Sequence, residues 1–172
     1  MSLEKYKKKR NFEKTNEPFP QKMAAAGQGQ QRFVIQKHAA SHLHYDFRLE
    51  MEDEDSKEIV LKSWSIPKNI PLEANQKHLA IETEDHPIEY IDFEGEIPPG
   101  NYGAGKVEIW DKGKWGLMKG SLKEGRISFN LLGEKTKGRF IMVRTKMGEA
   151  KEGSTAQPKN YWLIWRKGED IF

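Results

Sequence analysis

The hydrophobic pattern changes character at Arg32. Beyond it, apolar residues recur in short runs with a period near two, separated by Gly, Pro, Asn and Asp. These runs predict strands over 32–36, 44–51, 58–64, 78–83, 105–110, 114–118, 126–132, 139–145 and 161–166. Asp111-Lys112-Gly113-Lys114 reads as a hairpin turn between two of them, and 146–160 as a polar loop. No stretch keeps a helical apolar period beyond about ten residues. The predicted fold is mainly β: a small antiparallel β-barrel of about eight strands, with short helices and an N-terminal arm. Closing the sheet removes the exposed edges that so many strands would otherwise present. Residues 1–31 form the arm, broken by Pro18, Pro20, Gly27 and Gly29 and by the glutamine-rich run Gln28–Gln31. Residues 32–172 form one barrel domain.

Composition adds limits. The 172 residues contain no cysteine, which excludes disulfides, thiolate metal sites and cysteine nucleophiles. Charged residues make up 32 % and hydrophobic ones 36 %, yet eight Phe, five Trp and five Tyr supply an aromatic core. Trp110, Trp115, Trp162 and Trp165 fall in strand patterns and read as core. The formal net charge of +3 is uneven: residues 1–31 carry seven Lys/Arg against three Glu, and the remainder is slightly acidic. A basic arm suits a polyanion partner. No apolar run reaches the roughly 18 residues of a membrane span, and the N-terminus lacks a signal-peptide core, so a cytoplasmic protein is expected.

One strand carries unusual chemistry. From Leu43 to Glu50 the alternation is strict: Leu43, Tyr45, Phe47 and Leu49 share one face, and His44, Asp46, Arg48 and Glu50 the other. An imidazole, a carboxylate and a guanidinium thus stand in a row, each about 7 Å from the next. Neutral His and ionised Asp suit a divalent cation, and the planar fork of Arg suits phosphate oxygens. His38, expected in the turn before this strand, can fold back as a third ligand. His42 shares the parity of His44, so the pattern leaves open which histidine binds. Mn²⁺, Zn²⁺, Fe²⁺ and Co²⁺ all fit such donors. His86, in the turn Glu84-Asp85-His86-Pro87, is a candidate acid, base or phosphate ligand. The Gly/Pro-rich segment 94–105 has neither Walker nor dinucleotide spacing and reads as a structural turn. A G-x-S-x-G motif is lacking.

Several blocks together resemble a known family. They are Arg32–His38, Leu43–Glu50, Leu61-Lys62-Ser63-Trp64, Glu84–Tyr90 and the Gly-rich run from Phe93 to Gly105, with Lys9–Phe12 and Thr15–Pro18 in the arm. In this order they resemble the 3′-phosphoesterase domain of ligase D, the bacterial end-joining DNA ligase. The resemblance implies a barrel with a groove for a nucleic-acid 3′ end. It implies a metal-dependent activity, usually with Mn²⁺, on 3′-terminal ribonucleotides and 3′-phosphates. A phosphodiesterase step releases the terminal nucleoside, and a phosphomonoesterase step then leaves a 3′-OH. By position, His38, His44 and Asp46 match the metal ligands, and Arg48 and His86 the residues that hold the phosphate. Tyr90 and Lys62 match further active-site residues; Arg10 of the arm matches a residue that supports activity and is expected to contact the phosphate, and Glu17 and Glu84 match supporting ones. His78 stands where an Arg is expected at a phosphate-binding position, and Asn11 where an Asp is expected. His42 occupies a variable position, which argues against it as a ligand.

The implied partners are DNA or RNA 3′ ends, as in a primer–template with 3′-ribonucleotides, with ligase or polymerase activity supplied by a separate polypeptide. A monomer is expected. Two rivals fit parts of the pattern. A non-catalytic single-strand-binding barrel fits the charge but has no need of the His/Asp/Arg row. An Fe(II) oxygenase fits His44-x-Asp46 plus a distant His86, but not Arg48 beside the ligands.

Overall fold

The computed structural model describes residues 3–20, 30–146 and 160–168. The polar loop expected at 146–160 lies, apart from its two ends, outside the described residues, as do Gly27 and Gly29 of the arm. Among the described residues nine strands form. They are β1 (Arg32–Ala39), β2 (Leu43–Glu52), β3 (Ile59–Ile66), β4 (His78–His86), β5 (Gly95–Ile97), β6 (Gly105–Ser121), β7 (Arg126–Gly133), β8 (Lys137–Arg144) and β9 (Tyr161–Arg166). One short helix, α1 (Glu4–Lys8), precedes them, and a 3₁₀ turn spans Ile88–Asp92. No described helix is long and apolar enough to cross a membrane.

Antiparallel pairing runs β1-β2-β3-β4-β9-β8-β7-β6, and β6 pairs back onto β1. Eight strands therefore close a barrel, as the strand pattern predicted. β5 adds to the stretch of β6 that β7 does not reach. Alternation sends Phe33 and Ile35 of β1, Phe47 and Leu49 of β2 and Trp64 and Ile66 of β3 into the barrel. There they meet Trp115, Phe129, Phe140 and Trp162. Trp115 and Trp162 are core, as read from sequence, and Trp110 packs at its edge. Trp165 instead lies outside that core with Lys77 over its ring, because Trp162 and Ile164 take the inward parity of β9.

The opposite parity of β1–β3 is also covered. α1, the 3₁₀ turn and β5 lay Tyr6, Tyr90, Ile91, Phe93 and Ile97 over Val34 and Leu61. Asp46, Arg48 and Glu50 on this parity are buried too, so neither face of β2 is a solvent face along that stretch. Leu43, assigned by alternation to the core, is 51 % exposed, because β2 begins beyond the barrel rim.

Three local expectations change. Asp111–Lys114 is not a hairpin turn: β6 runs through it without a break. Asp111 accepts hydrogen bonds from the backbone of Glu134, Lys135 and Thr136 and from the Thr136 hydroxyl, tying down the β7–β8 turn. Gly113 marks a close approach, since a Cβ there would collide with the Leu132 carbonyl. His38 is not in a turn but inside β1, directly opposite His44. His86 is not in a turn either. It ends β4, which reaches Leu61 past a register shift between Leu61 and Ser63.

Gly133 faces Gly113 across β6 and β7, and a Cβ on it would meet the Asp111 carboxylate, Phe33 Cζ at 2.7 Å and Thr136 Oγ1 at 2.8 Å. Gly133→Ala is expected to lower stability by about 2–3 kcal/mol through overpacking, read as a lower urea midpoint with an unchanged slope.

Candidate active site

The register of one hairpin builds the centre of the site. β1 and β2 pair His38 with His44, and their ring centroids stand 4.7 Å apart. Asp46 is two residues further along β2, on the same face. One nitrogen from each imidazole and one Asp46 oxygen all lie within 4.8 Å of one another. Hydrogen bonds assign the tautomers. His38 Nε2 lies 2.6 Å from the Gly103 carbonyl, which can only accept, so Nε2 carries the proton. His44 Nδ1 lies 3.0 Å from the His42 carbonyl and carries its proton for the same reason. The remaining lone pairs, His38 Nδ1 and His44 Nε2, face Asp46 oxygens at 3.1 and 3.3 Å.

Two lone pairs converging on a carboxylate repel unless a cation lies among them. A proton or a divalent metal meets that need, and the donor set of two imidazoles and one carboxylate fits such a metal. Burial alone would raise the Asp46 carboxyl, but the His38 and His44 rings, which donate to it when these nitrogens are protonated, and the nearby Arg48 hold it far below the usual carboxylate range. It is a fixed negative charge.

Arg48 is 3 % exposed and held on two sides. Its Nε donates to Gln36 Oε1 at 2.7 Å and its Nη1 to Ser63 Oγ at 2.9 Å. Gln36 in turn donates to the Tyr90 and Phe93 carbonyls. The Arg48 Nη2 edge is left facing Asp46 Oδ2 at 3.6 Å. His86 lies against the same guanidinium, with Nδ1 2.8 Å from the Glu84 carbonyl and Nε2 3.4 Å from Arg10 Nη2. Burial, with Arg48 and Arg10 beside it, pushes the His86 imidazole well below its ordinary range, so it is neutral at pH 7.

The arm completes the enclosure. Arg10 Nε donates to Glu17 Oε2 at 2.9 Å, and its Nη1 to Glu84 Oε1 at 3.2 Å. Tyr90 donates its hydroxyl to Glu17 Oε2 at 2.7 Å, and burial raises its pKa well above the usual value, so it keeps its proton. Lys9 reaches Glu84 at 3.1 Å. The resulting cavity, of about 320 Å³, is lined by Arg10, Glu17, His38, His44, Asp46, Arg48, Glu84, His86, Tyr90 and Tyr102 among others.

Two residues named from sequence are not brought to this cavity. Lys62 is adjacent to Ser63 on β3, but alternation turns it to the other side of the sheet. There it pairs with Asp53 at 2.5 Å and Asp85 at 3.0 Å beside a separate cavity of about 190 Å³. His78 opens β4, eight residues from His86 and so about 26 Å away along the strand, with Nδ1 2.6 Å from the Asn69 carbonyl. His42 is exposed and contributes only its carbonyl. Sequence reasoning missed Gln36, Ser63, Tyr102 and Gly103. The parity of Gln36 with His38 was a usable signal for the first. The Gly103 carbonyl, a backbone group on a distant loop, left none.

The structure is thus a small closed antiparallel β-barrel domain whose cavity brings together a triangle of His and Asp donor atoms of metal-ligand type and a buried Arg/His pair. The profile of the DNA Ligase D 3′-phosphoesterase domain matches residues 36–144, and the chain belongs to this family. It is 45 % identical over 148 residues to the multifunctional non-homologous end joining protein LigD of Pseudomonas aeruginosa, covering 84 % of this chain and 17 % of that protein. It is 46 % identical over 145 residues to the LigD of Mycobacterium tuberculosis, covering 83 % and 18 %. Against the LigD of Mycolicibacterium smegmatis it is 39 % identical over 173 residues, covering 92 % and 22 %. The chain thus spans about a fifth of the length of these relatives.

Asp85 offers a check on the site's flank. Burial lifts its carboxyl from 3.8 to about 6, against the pull of Lys62. Between those values the folded chain holds a proton that the unfolded chain releases, so this residue's contribution to stability falls as pH rises from about 4 to about 6. Thermal melts across that window are expected to show a smaller decline with rising pH for Asp85→Asn than for the unmodified chain.

Proposed function

We propose that this chain is a metal-dependent phosphoesterase that processes nucleic-acid 3′ ends. It removes a 3′-terminal ribonucleoside as a phosphodiesterase, then the resulting 3′-phosphate as a phosphomonoesterase, leaving a 3′-OH. The observation that carries this reading is the His38/His44/Asp46 triangle in one cavity with Arg48 and His86. Family membership supports it, as does the name of the relatives, which places them in end joining. The proposed domain organisation is a barrel domain over 32–172, with the arm 1–31 contributing to its active site.

In this reading His38 Nδ1, His44 Nε2 and an Asp46 oxygen hold the metal, with Mn²⁺ favoured and Co²⁺ or Zn²⁺ suited to the same donors. When bound, the metal supplies Lewis-acid stabilisation of charge on the phosphoryl group. Arg48 presents its Nη2 edge to the scissile phosphate, pre-positioned by Gln36 and Ser63, so little reorganisation is needed as charge builds. His86, neutral before substrate arrives, gains basicity beside an incoming phosphate and can hold a proton there. Tyr90 retains its proton and donates it to Glu17, while its ring packs against the Arg48 guanidinium, 4.7 Å from the ring centroid. Arg10 bridges Glu17 and Glu84 and so locks the arm over His86. In the diester step water adds to phosphorus and the P–O5′ bond to the terminal nucleoside breaks, its oxygen taking a proton, with an adjacent ribose 2′-OH assisting; in the monoester step water attacks again and the P–O3′ bond breaks, leaving the 3′-OH and inorganic phosphate. Lys62 and His78, set apart from the cavity, would bear on the substrate only beyond the scissile phosphate. The proposed partners are DNA or RNA 3′ ends, with a DNA ligase or polymerase using the product. The chain is taken to act as a monomer.

The test is a 5′-labelled primer–template ending in 3′-ribonucleotides, incubated with Mn²⁺ and resolved on a denaturing gel. Stepwise appearance of a 3′-phosphate and then a 3′-OH, lost with EDTA and with His44→Ala, is expected. Binding without conversion under any divalent metal would move the chain to the non-catalytic binders.

Arg48→Ala is expected to reduce kcat/KM for both steps by about 10²–10³-fold, the scale of losing one pre-positioned charge-stabilising donor. A folded variant, checked by its melting curve, with unchanged rates would remove Arg48 from the mechanism.

A further inference from the structure

Two aromatic side chains stand out at the described surface, Phe19 at 50 % and Tyr102 at 48 % exposure. Phe19 packs edge-to-face on Phe12, with ring centroids 5.0 Å apart, and is not among the residues that line the cavity. Tyr102 has no aromatic neighbour among the described ring pairs; its neighbours are cations. Lys9 Nζ lies 4.7 Å and Arg10 Cζ 5.5 Å from its ring centroid, and Lys9 Nζ is 3.5 Å from its hydroxyl. A half-exposed ring costs hydrophobic free energy unless something covers it.

Its backbone is as firmly set as its ring. Gly103, the next residue, has φ +75°, and its carbonyl accepts the hydrogen bond from the His38 imidazole at 2.6 Å. Asn101, the residue before, receives the Ala104 amide at 3.1 Å and donates its own side-chain amide to the Lys14 carbonyl at 3.4 Å. Tyr102 is therefore a ring held on the arm side of the cavity, one residue from a contact to the donor triangle.

We propose that Tyr102 is the seat of the 3′-terminal nucleobase, stacking on the base of the nucleotide whose phosphate lies against Arg48 and His86. This rests on the phosphoesterase reading above. The direction follows from the walls of the cavity. In this proposal the strand's 5′ remainder leaves past the small side chains Ser65 and Thr83, which also line the cavity, because Lys9 and Arg10 of the arm lie against Tyr102. What reaches Tyr102 is the end of the chain. Stacking on an aromatic face tolerates every base, so the site takes any terminal nucleoside.

The experiment compares two primer–templates, one ending in an ordinary ribonucleotide and one whose terminal ribose carries hydrogen in place of the base. Tyr102→Ala is expected to lower kcat/KM on the first by about 5- to 100-fold, the size of one base–aromatic stack, mainly through KM. It should leave the second unchanged. Tyr102→Phe and Tyr102→Trp should retain the unmodified level, since the face and not the hydroxyl does the stacking. A loss of equal size on both substrates, or one that tracks a base removed at the penultimate position instead, would overturn the proposal. Fluorescence anisotropy of the same two duplexes in EDTA reads the stack without turnover. A base-dependent affinity lost in Tyr102→Ala supports it, and equal affinities for the two duplexes in the unmodified chain overturn it. If the unmodified chain converts neither substrate, the phosphoesterase reading fails, while the anisotropy comparison still decides the stacking.

Discussion

Asp46 and Arg48 stand two residues apart on one face of β2, both nearly sealed from water, and the structure around them is arranged to keep both charged. A buried ion left alone is among the most costly features a fold can carry. Asp46 is met by two imidazoles from a cross-strand pair, and Arg48 by an amide and a hydroxyl from the strands on either side of β2. Neither solution is available to a strand in isolation. It requires β1 on one side, β3 on the other, and a register that brings His38 opposite His44 and Ser63 opposite Arg48.

Barrel closure supplies that register. The interior is filled by Phe33, Phe47, Trp64, Phe129 and Phe140, so a slip by one residue would turn these rings outward and the charged row inward. The aromatic core and the polar site are therefore two readings of one alternation. The core stabilises the sheet, and the sheet spaces the donors. The price is a charged outer face, which the N-terminal arm and the 3₁₀ turn cover. Arg10 and Glu17 are part of that cover, with side chains 4 % and 0 % exposed. Their ion pair is thus joined to the site through Tyr90 and Glu84 rather than being a surface decoration.

The same geometry explains how the two cavities on either side of β3 differ. Ser63 and Lys62 are sequence neighbours, yet one bonds Arg48 and the other bridges Asp53 and Asp85. The separation is a consequence of the period-two backbone, which sends adjacent side chains to opposite faces.

The alternation from Tyr45 to Glu50 was legible because one face packs on a hydrophobic core, and that requirement is written directly in residue type. Strand count and barrel class followed from the same periodicity, repeated with turn residues between. What sequence could not decide was anything set by a partner distant along the chain. Gly113 looks like a turn until the Leu132 carbonyl is seen against it, and Asp111 looks like a turn residue until its bonds to residues 134–136 appear. His78 and Lys62 carry suitable chemistry but neither lines the cavity: His78 bonds the Asn69 carbonyl and Lys62 lies on the other face of β3. The tautomer of His38 depends on a carbonyl 65 residues away. Local propensity and pattern act within a few residues and are readable one strand at a time. Register, side of the sheet and second-layer contacts arise only when strands far apart in sequence are packed against one another, and the tertiary structure alone decided those.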